Sequence, residues 1–199
     1  MSDMTSDMTV QPVTSFAGQK VAVLGLGRSG HSAALALQLG GVEVLAWDDG
    51  KGAHQADYPI VDLNAQDFSD VAALVISPGI PTLHPKPNPV AAKARAAGIP
   101  IIADVELLVR QNPQARFIGI TGTNGKSTCT ALTAHVIKQA GLPMAMGGNI
   151  GIPALALPKL PAGGVYVLEL SSYQLELRQT PGIDAGLLLN ITPDHVDRH

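Results

Sequence analysis

The sequence predicts an α/β protein built as two successive units, each with a parallel sheet. Three observations carry this. Short aliphatic runs alternate with alanine-rich stretches of helical length, the order that feeds parallel strands through helical crossovers. A strand, a glycine loop and a helix follow one another twice, at Gly25–Gly30 and again at Gly122–Lys126. The composition agrees: 21 Gly and 15 Pro punctuate the chain, while aromatic residues make up only 4%.

The totals bound the function. A chain of 199 residues with 46% apolar residues can bury a real core, and 15% charged residues is too few for a disordered chain. The net charge of −3 comes with no basic cluster, so neither nucleic acid nor an anionic membrane surface is an expected partner. No apolar run reaches the roughly 18 residues that a membrane span needs. The start of the chain lacks the basic and apolar stretches of a signal peptide. The one cysteine, Cys129, excludes an internal disulfide. The expectation is a soluble cytoplasmic protein, working as a monomer.

In the first unit, residues 1–17 read as a flexible tail and 18–112 as the folded part. Lys20–Leu24 is a buried strand, Ser32–Leu39 a helix ended by Gly40-Gly41, and Val42–Trp47 the next strand, closing on Asp48-Asp49. Ala72–Ile76 is a third strand, stopped by Ser77-Pro78-Gly79. Four prolines between Pro81 and Pro89 exclude a helix there. Asn88 then leads a helix that ends at Gly98, Ile99–Ile102 is a short strand, and Asp104–Arg110 a short helix. The polar connector Gln111–Gln114 marks the boundary.

In the second unit, 113–199, Arg116–Thr121 is a strand, Gly122–Lys126 a loop and Ser127–Ala140 a helix. Gly147–Gly151 reads as a loop. Gly164–Leu170 and Ala185–Asn190 are strands, with Ser171–Leu177 between them. The chain stops at His199 just after a strand end, which suggests a piece of a longer protein with an incomplete second sheet.

The strongest chemical signal is Thr121-Gly-Thr-Asn-Gly-Lys-Ser-Thr128 between a strand and a helix. Its glycines let several backbone N–H groups point into one concavity, and the helix adds its positive dipole end. Lys126 can reach the β- and γ-phosphates of ATP, and the Ser127 hydroxyl can ligate Mg²⁺. The residue at position 120 is Ile where the common form of this loop has Gly.

Gly25-x-Gly27-x-x-Gly30, with Asp48 at the end of the next strand, nearly completes a dinucleotide fingerprint. In physical terms it offers donors for a diphosphate and an acid for a ribose hydroxyl. NAD and a UDP-sugar both present those groups, and tight strand–helix packing is a third explanation. No second half of an NAD domain follows. Glu169 near the end of an apolar strand sits at the sheet rim, where it could hold Mg²⁺ beside Ser127 or cap the helix after it. Asp194, His195 and Asp197 meet the same rim, as metal or substrate candidates or as a solvated loop.

Four segments together carry a family resemblance: Ile120–Thr128, Gly147-Gly-Asn-Ile-Gly151, Leu168-Glu-Leu-Ser-Ser-Tyr-Gln-Leu-Glu176 and Asn190-Ile-Thr-Pro-Asp-His-Val-Asp-Arg198. They resemble the Mur ligases, and within that family the branch that joins D-glutamate to UDP-N-acetylmuramoyl-L-alanine. The resemblance runs from about Lys20 to the last residue. It implies a Rossmann-like first domain followed by the ATP-binding central domain.

It also implies roles. Arg28, Ser29, Asp48 and Gly79 would hold the UDP part of the substrate. Gly122, Thr123, Asn124, Gly125, Lys126, Ser127 and Thr128 would hold ATP. Ser127 and Glu169 would hold one Mg²⁺ and His195 a second, with Lys126, Glu169 and His195 as the catalytic set. Asn149 and Ser171 would touch the muramoyl-alanine part. Asp49-Gly50 departs from relatives that place a basic residue there, and Lys51 is its nearest substitute. Members of the family are more than twice as long, so the domain that binds D-glutamate and a metal-supporting lysine would lie beyond His199. Other Mur ligases, folylpolyglutamate synthase, an NAD-dependent oxidoreductase and a non-catalytic nucleotide-binding module are the alternatives.

Overall fold

The computed structural model describes residues 9–50, 58–177 and 182–194. Two four-stranded sheets form, both wholly parallel. The first contains β1 (Lys20–Leu24), β2 (Glu43–Trp47), β3 (Val71–Ile76) and β4 (Ile101–Ile102), in the order β2-β1-β3-β4. The second contains β5 (Arg116–Thr121), β6 (Met144–Gly148), β7 (Val165–Glu169) and β8 (Ala185–Leu188), in the order β6-β7-β5-β8. Helices α1 (Arg28–Leu39), α2 (Pro89–Ala96), α3 (Asp104–Gln111), α4 (Lys126–Gln139) and α5 (Ser172–Glu176) link the strands. The parallel α/β architecture expected from the sequence is the one observed. Among the described residues no helix is long and apolar enough to cross a membrane.

Local chemistry sets the helix ends. Asn88 caps α2 by accepting from the Val90 N–H at 2.9 Å, and Pro89 stands at the first helical position, where its missing N–H costs nothing. Ser171 and Gln174 form a capping box on α5, each side chain taking the other's backbone N–H. Helix α1 begins at Arg28, four residues before the sequence pattern suggested, so the last glycine of the first loop already lies inside it. A Cβ at Gly30 would fall 1.7 Å from the Gly25 carbonyl oxygen, a distance no side chain survives.

Two expectations fail. The tail predicted over residues 1–17 does not hold for 9–17. Val10, Val13 and Phe16 are buried, and the Val13 N–H donates to the Ala36 carbonyl at 2.8 Å. This segment has no helical or strand period, so its isolated apolar residues left no signal, yet each finds a place in the core. The second failure is Gly147–Gly151, read as a loop. Gly147 and Gly148 belong to β6 and pair with Leu168 and Glu169 of β7. Glycine's poor strand propensity hid the strand.

The largest apolar cluster spans both sheets. It joins Val21, Val23 and Val75 of the first to Ala145, Tyr166 and Leu168 of the second, with Val10 and Val13, Leu107 and Leu108, and Leu155 and Leu157 between them. A buried polar knot pins the same junction. Gln11 Nε2 donates to the Leu157 carbonyl at 2.6 Å and to the Tyr166 hydroxyl at 3.1 Å, while Asn112 Nδ2 donates to Gln11 Oε1 at 3.2 Å.

Candidate functional site

Parallel strands deliver their C-terminal ends to one rim, where both glycine loops stand. The phosphate-type loop leaves β5 at Thr121 and enters α4 at Lys126. Gly122 takes φ +140°, and Gly125, the residue before the helix, takes φ +84°. The loop is tied on its far side to the segment after β8. Asn124 N–H donates to Asn190 Oδ1 at 2.9 Å, Asn190 Nδ2 returns to the Asn124 carbonyl at 3.0 Å, and Thr192 N–H donates to Thr123 Oγ1 at 3.0 Å. Lys126 Nζ folds back onto the carbonyls of Gly122 and Thr123 at 2.6 and 2.8 Å. The ammonium is thus held over the loop that it would share with a phosphate.

Glu169, at the end of β7, is 4% exposed. Its carboxylate accepts from Ser127 Oγ at 2.7 Å and from Asn149 Nδ2 at 3.1 Å. It does not cap α5, because Ser171 fills that position. The predicted pair of Ser127 and Glu169 is therefore brought together. A hydroxyl and a carboxylate, both hard oxygen donors at hydrogen-bond distance, suit Mg²⁺. Among the described residues no group of three or more His, Cys, Asp or Glu is placed to hold a metal. His195 and Asp197 lie outside the described residues, as does Lys51.

Two clefts meet at Asn149. One, about 380 Å³, is lined by Thr121–Thr123, Lys126, Asn149, Ser171, Asn190 and Asp194, among others. The other, about 250 Å³, lies between the units. Arg28, Ser29 and Gly79 line it from the first, and Gly148, Asn149 and Gly151 from the second. Arg28 Nη1 crosses it to donate to the Gly151 carbonyl at 3.2 Å. Ser77 Oγ donates to the Gly25 carbonyl at 2.9 Å and so locks the two loops of the first unit side by side.

Asp48, expected as a ribose partner, also makes contacts within the chain. Its Oδ2 accepts from the Leu26 N–H inside the glycine loop, and its Oδ1 accepts from the Gly50 N–H at 2.7 Å. Oδ2 thus fixes the glycine loop, and Oδ1 the turn that follows β2. Asp49, the neighbouring departure, takes hydrogen bonds from Trp47 Nε1 and Asn88 Nδ2, each at 2.8 Å. Sequence reasoning missed Asp104 and Gln174, whose buried contact underlies this site. The run Leu168–Glu176 contained Gln174, but nothing in its pattern pointed to a partner 70 positions away.

Residues 120–199 match the model of the Mur ligase middle domain. Over that stretch the chain is similar to the Mur ligases. Over 186 residues it is 53% identical to the UDP-N-acetylmuramoylalanine–D-glutamate ligase of Paramagnetospirillum magneticum, covering 92% of this chain and 41% of that relative. The enzyme of the same name from Caulobacter sp. strain K31 is 50% identical over 198 residues, with 94% and 42% covered. The chain thus spans about two fifths of the length of the curated Mur ligases it matches. The crystal structure of UDP-N-acetylmuramate:L-alanyl-gamma-D-glutamyl-meso-diaminopimelate ligase from Neisseria meningitides superposes with a TM-score of 0.55 at 19% identity, covering 92% of this chain and 63% of that one. That likeness concerns the Mur ligase fold.

Proposed function

We propose that the full-length protein is an ATP-dependent, ADP-forming ligase that joins D-glutamate to UDP-N-acetylmuramoyl-L-alanine in peptidoglycan precursor synthesis. The observation that carries this is the meeting of the two clefts at Asn149. A phosphate loop on one side and a diphosphate-suited glycine loop on the other would bring ATP and a UDP-linked carboxylate to one place. The two ligases named above support the choice of D-glutamate as acceptor. In such a reaction the γ-phosphoryl group moves to the muramoyl-alanine carboxylate, and the amine of D-glutamate then displaces phosphate to form the amide. ATP and the UDP substrate are cytoplasmic metabolites, which is where we place the reaction.

Phosphoryl transfer asks a protein chiefly for position and charge neutralisation. The amides of Gly122–Thr128 and the N-terminus of α4 would receive the phosphates, and Lys126 would exchange its two loop carbonyls for phosphate oxygens. Arg28, Ser29 and Gly79 would hold the UDP part, with Asp48 acting through the loop it fixes. Asn149 and Ser171 would orient the muramoyl-alanine part. Ser127 and Glu169 would hold one Mg²⁺ and His195 a second, and bound Mg²⁺ supplies charge neutralisation on the phosphates. The test is Lys126→Ala in the full-length protein. ADP formation should be abolished, while calorimetric affinity for the UDP substrate stays near that of wild type. Near-normal turnover would sink the assignment. Phosphate release with D-glutamate against other amino acids separates this ligase from its relatives, and an NADH fluorescence titration should detect no binding.

A further inference from the structure

Helix α5 follows a strand of the second sheet, yet its far end is built into the first unit. Gln174, 1% exposed, donates from Nε2 to Asp104 Oδ1 at 3.3 Å. Glu176 Oε1 accepts from Thr82 Oγ1 at 2.8 Å. Leu177 packs into the apolar cluster that contains Leu63, Phe68 and Leu74. The near end of the same helix lines the ATP-side cleft through Ser171. Gln174 joins the two ends, because its Oε1 accepts from the Ser171 N–H at 3.1 Å while its Nε2 holds Asp104.

Asp104 opens α3 and is 2% exposed. Its Oδ1 also accepts from the Val105 N–H at 2.9 Å, and its Oδ2 has no hydrogen-bond partner. Burial raises its pKa, opposed by the hydrogen bonds from Gln174 and the Val105 N–H. A buried carboxyl with one free oxygen is an expensive residue for a core position. What it gains is location: α3 packs against α1, whose first turn carries Ser29 at the inter-unit cleft, and Gln174 on the other side sets Ser171.

We infer that Asp104 is a positioning residue for the UDP-linked substrate, holding the Ser171 cap in register with Ser29 at the start of α1 through Gln174. This rests on the ligase reading above. Ser171 and Ser29 face different parts of one substrate, so a shift of α5 against α1 would misalign the carboxylate relative to its nucleotide handle. The buried hydrogen bond between Gln174 and Asp104 is their gauge.

The experiment measures steady-state kinetics of the full-length protein with UDP-N-acetylmuramoyl-L-alanine, D-glutamate and ATP. Asp104→Ala should raise KM for the UDP substrate about tenfold and leave KM for ATP within about threefold. Asp104→Asn keeps the Oδ1 acceptor and should restore KM to within about threefold of wild type. Gln174→Ala should match Asp104→Ala, and the double variant should be no worse than the worse single one. A merely structural role would lower kcat with the folded fraction and leave KM unchanged. KM for the UDP substrate within about twofold of wild type in Asp104→Ala overturns the inference, as do single effects that multiply in the double variant. If Asp104→Ala does not fold, Gln174→Ala decides by the same criterion. Wild-type protein that forms no ADP with D-glutamate would instead refute the ligase reading, and this inference with it.

Discussion

Tyr166→Phe isolates the polar knot that joins the two units. The Tyr166 side chain is fully buried and stacks on Phe117 at 5.2 Å between ring centroids, an arrangement phenylalanine preserves. Only the hydroxyl is lost. It donates to the Pro158 carbonyl at 2.9 Å and, more weakly, to Asn112 Oδ1 at 3.4 Å, and it accepts from the Leu160 N–H at 3.2 Å and from Gln11 Nε2 at 3.1 Å. Gln11 Nε2 keeps its bond to the Leu157 carbonyl at 2.6 Å, and the exposed Pro158 and half-exposed Leu160 can turn to water. The full cost of orphaning every partner is therefore not reached. At about 1 kcal/mol per neutral bond lost, less that relief, the expected loss is about 1.5–3 kcal/mol. For a chain of this size that lowers Tm by about 3–12 °C. Urea unfolding of the purified chain, with midpoint and slope both fitted, gives the number. A loss below about 0.5 kcal/mol at unchanged slope would refute the view that this hydroxyl ties the N-terminal segment to the second sheet.

Two further outcomes follow from the same geometry. Gly122→Ala puts a Cβ at φ +140° and 3.1 Å from both the nitrogen and the oxygen of Asn190, so the phosphate loop must shift; KM for ATP in the full-length protein should rise about tenfold or more, and wild-type KM would overturn this. Asp104 has a raised pKa, mainly from burial, and the groups that oppose the shift are uncharged. The folded chain then keeps a proton that the unfolded chain releases. Its stability is greatest below the ordinary aspartate value and falls as pH rises from there through the raised folded value. Asp104→Asn removes that decline, so across the acidic range the wild-type unfolding midpoint should fall relative to that of the variant as pH rises. Parallel curves would refute the raised pKa of Asp104.

Much of this was legible because period and glycine placement are local signals. The strand before Gly25, the helix after Gly125 and the acid at the end of β7 announce themselves within a few residues, and the rim of a parallel sheet does the rest. What escaped was long-range. Val10, Val13 and Phe16 fit no period, and only the assembled core gives them a place. Gly147 and Gly148 read as a turn because their strand is held by pairing to Leu168 and Glu169 rather than by side chains. The buried contact of Gln174 with Asp104 spans 70 positions of sequence, and neither residue carries a local mark of the other.

The shared core decides how the site is presented. Two α/β units joined by a loose linker would have to be ordered by the ligand, and the substrate would bear that entropy. Here one apolar cluster contains side chains of both sheets, and Gln11, Asn112 and Tyr166 close it with hydrogen bonds. Separating the units would expose Leu107, Leu155 and Leu168 and leave those polar groups without partners. At roughly 1.5–3 kcal/mol for each large apolar side chain, that opening is costly before any polar term is added. The glycine loop at Gly25–Gly30 and the phosphate loop at Gly122–Lys126 are therefore set by folding to face one cleft region. On the proposed ligase reading, binding energy from the nucleotide handle would then be free to orient the carboxylate toward Lys126, Ser127 and Glu169.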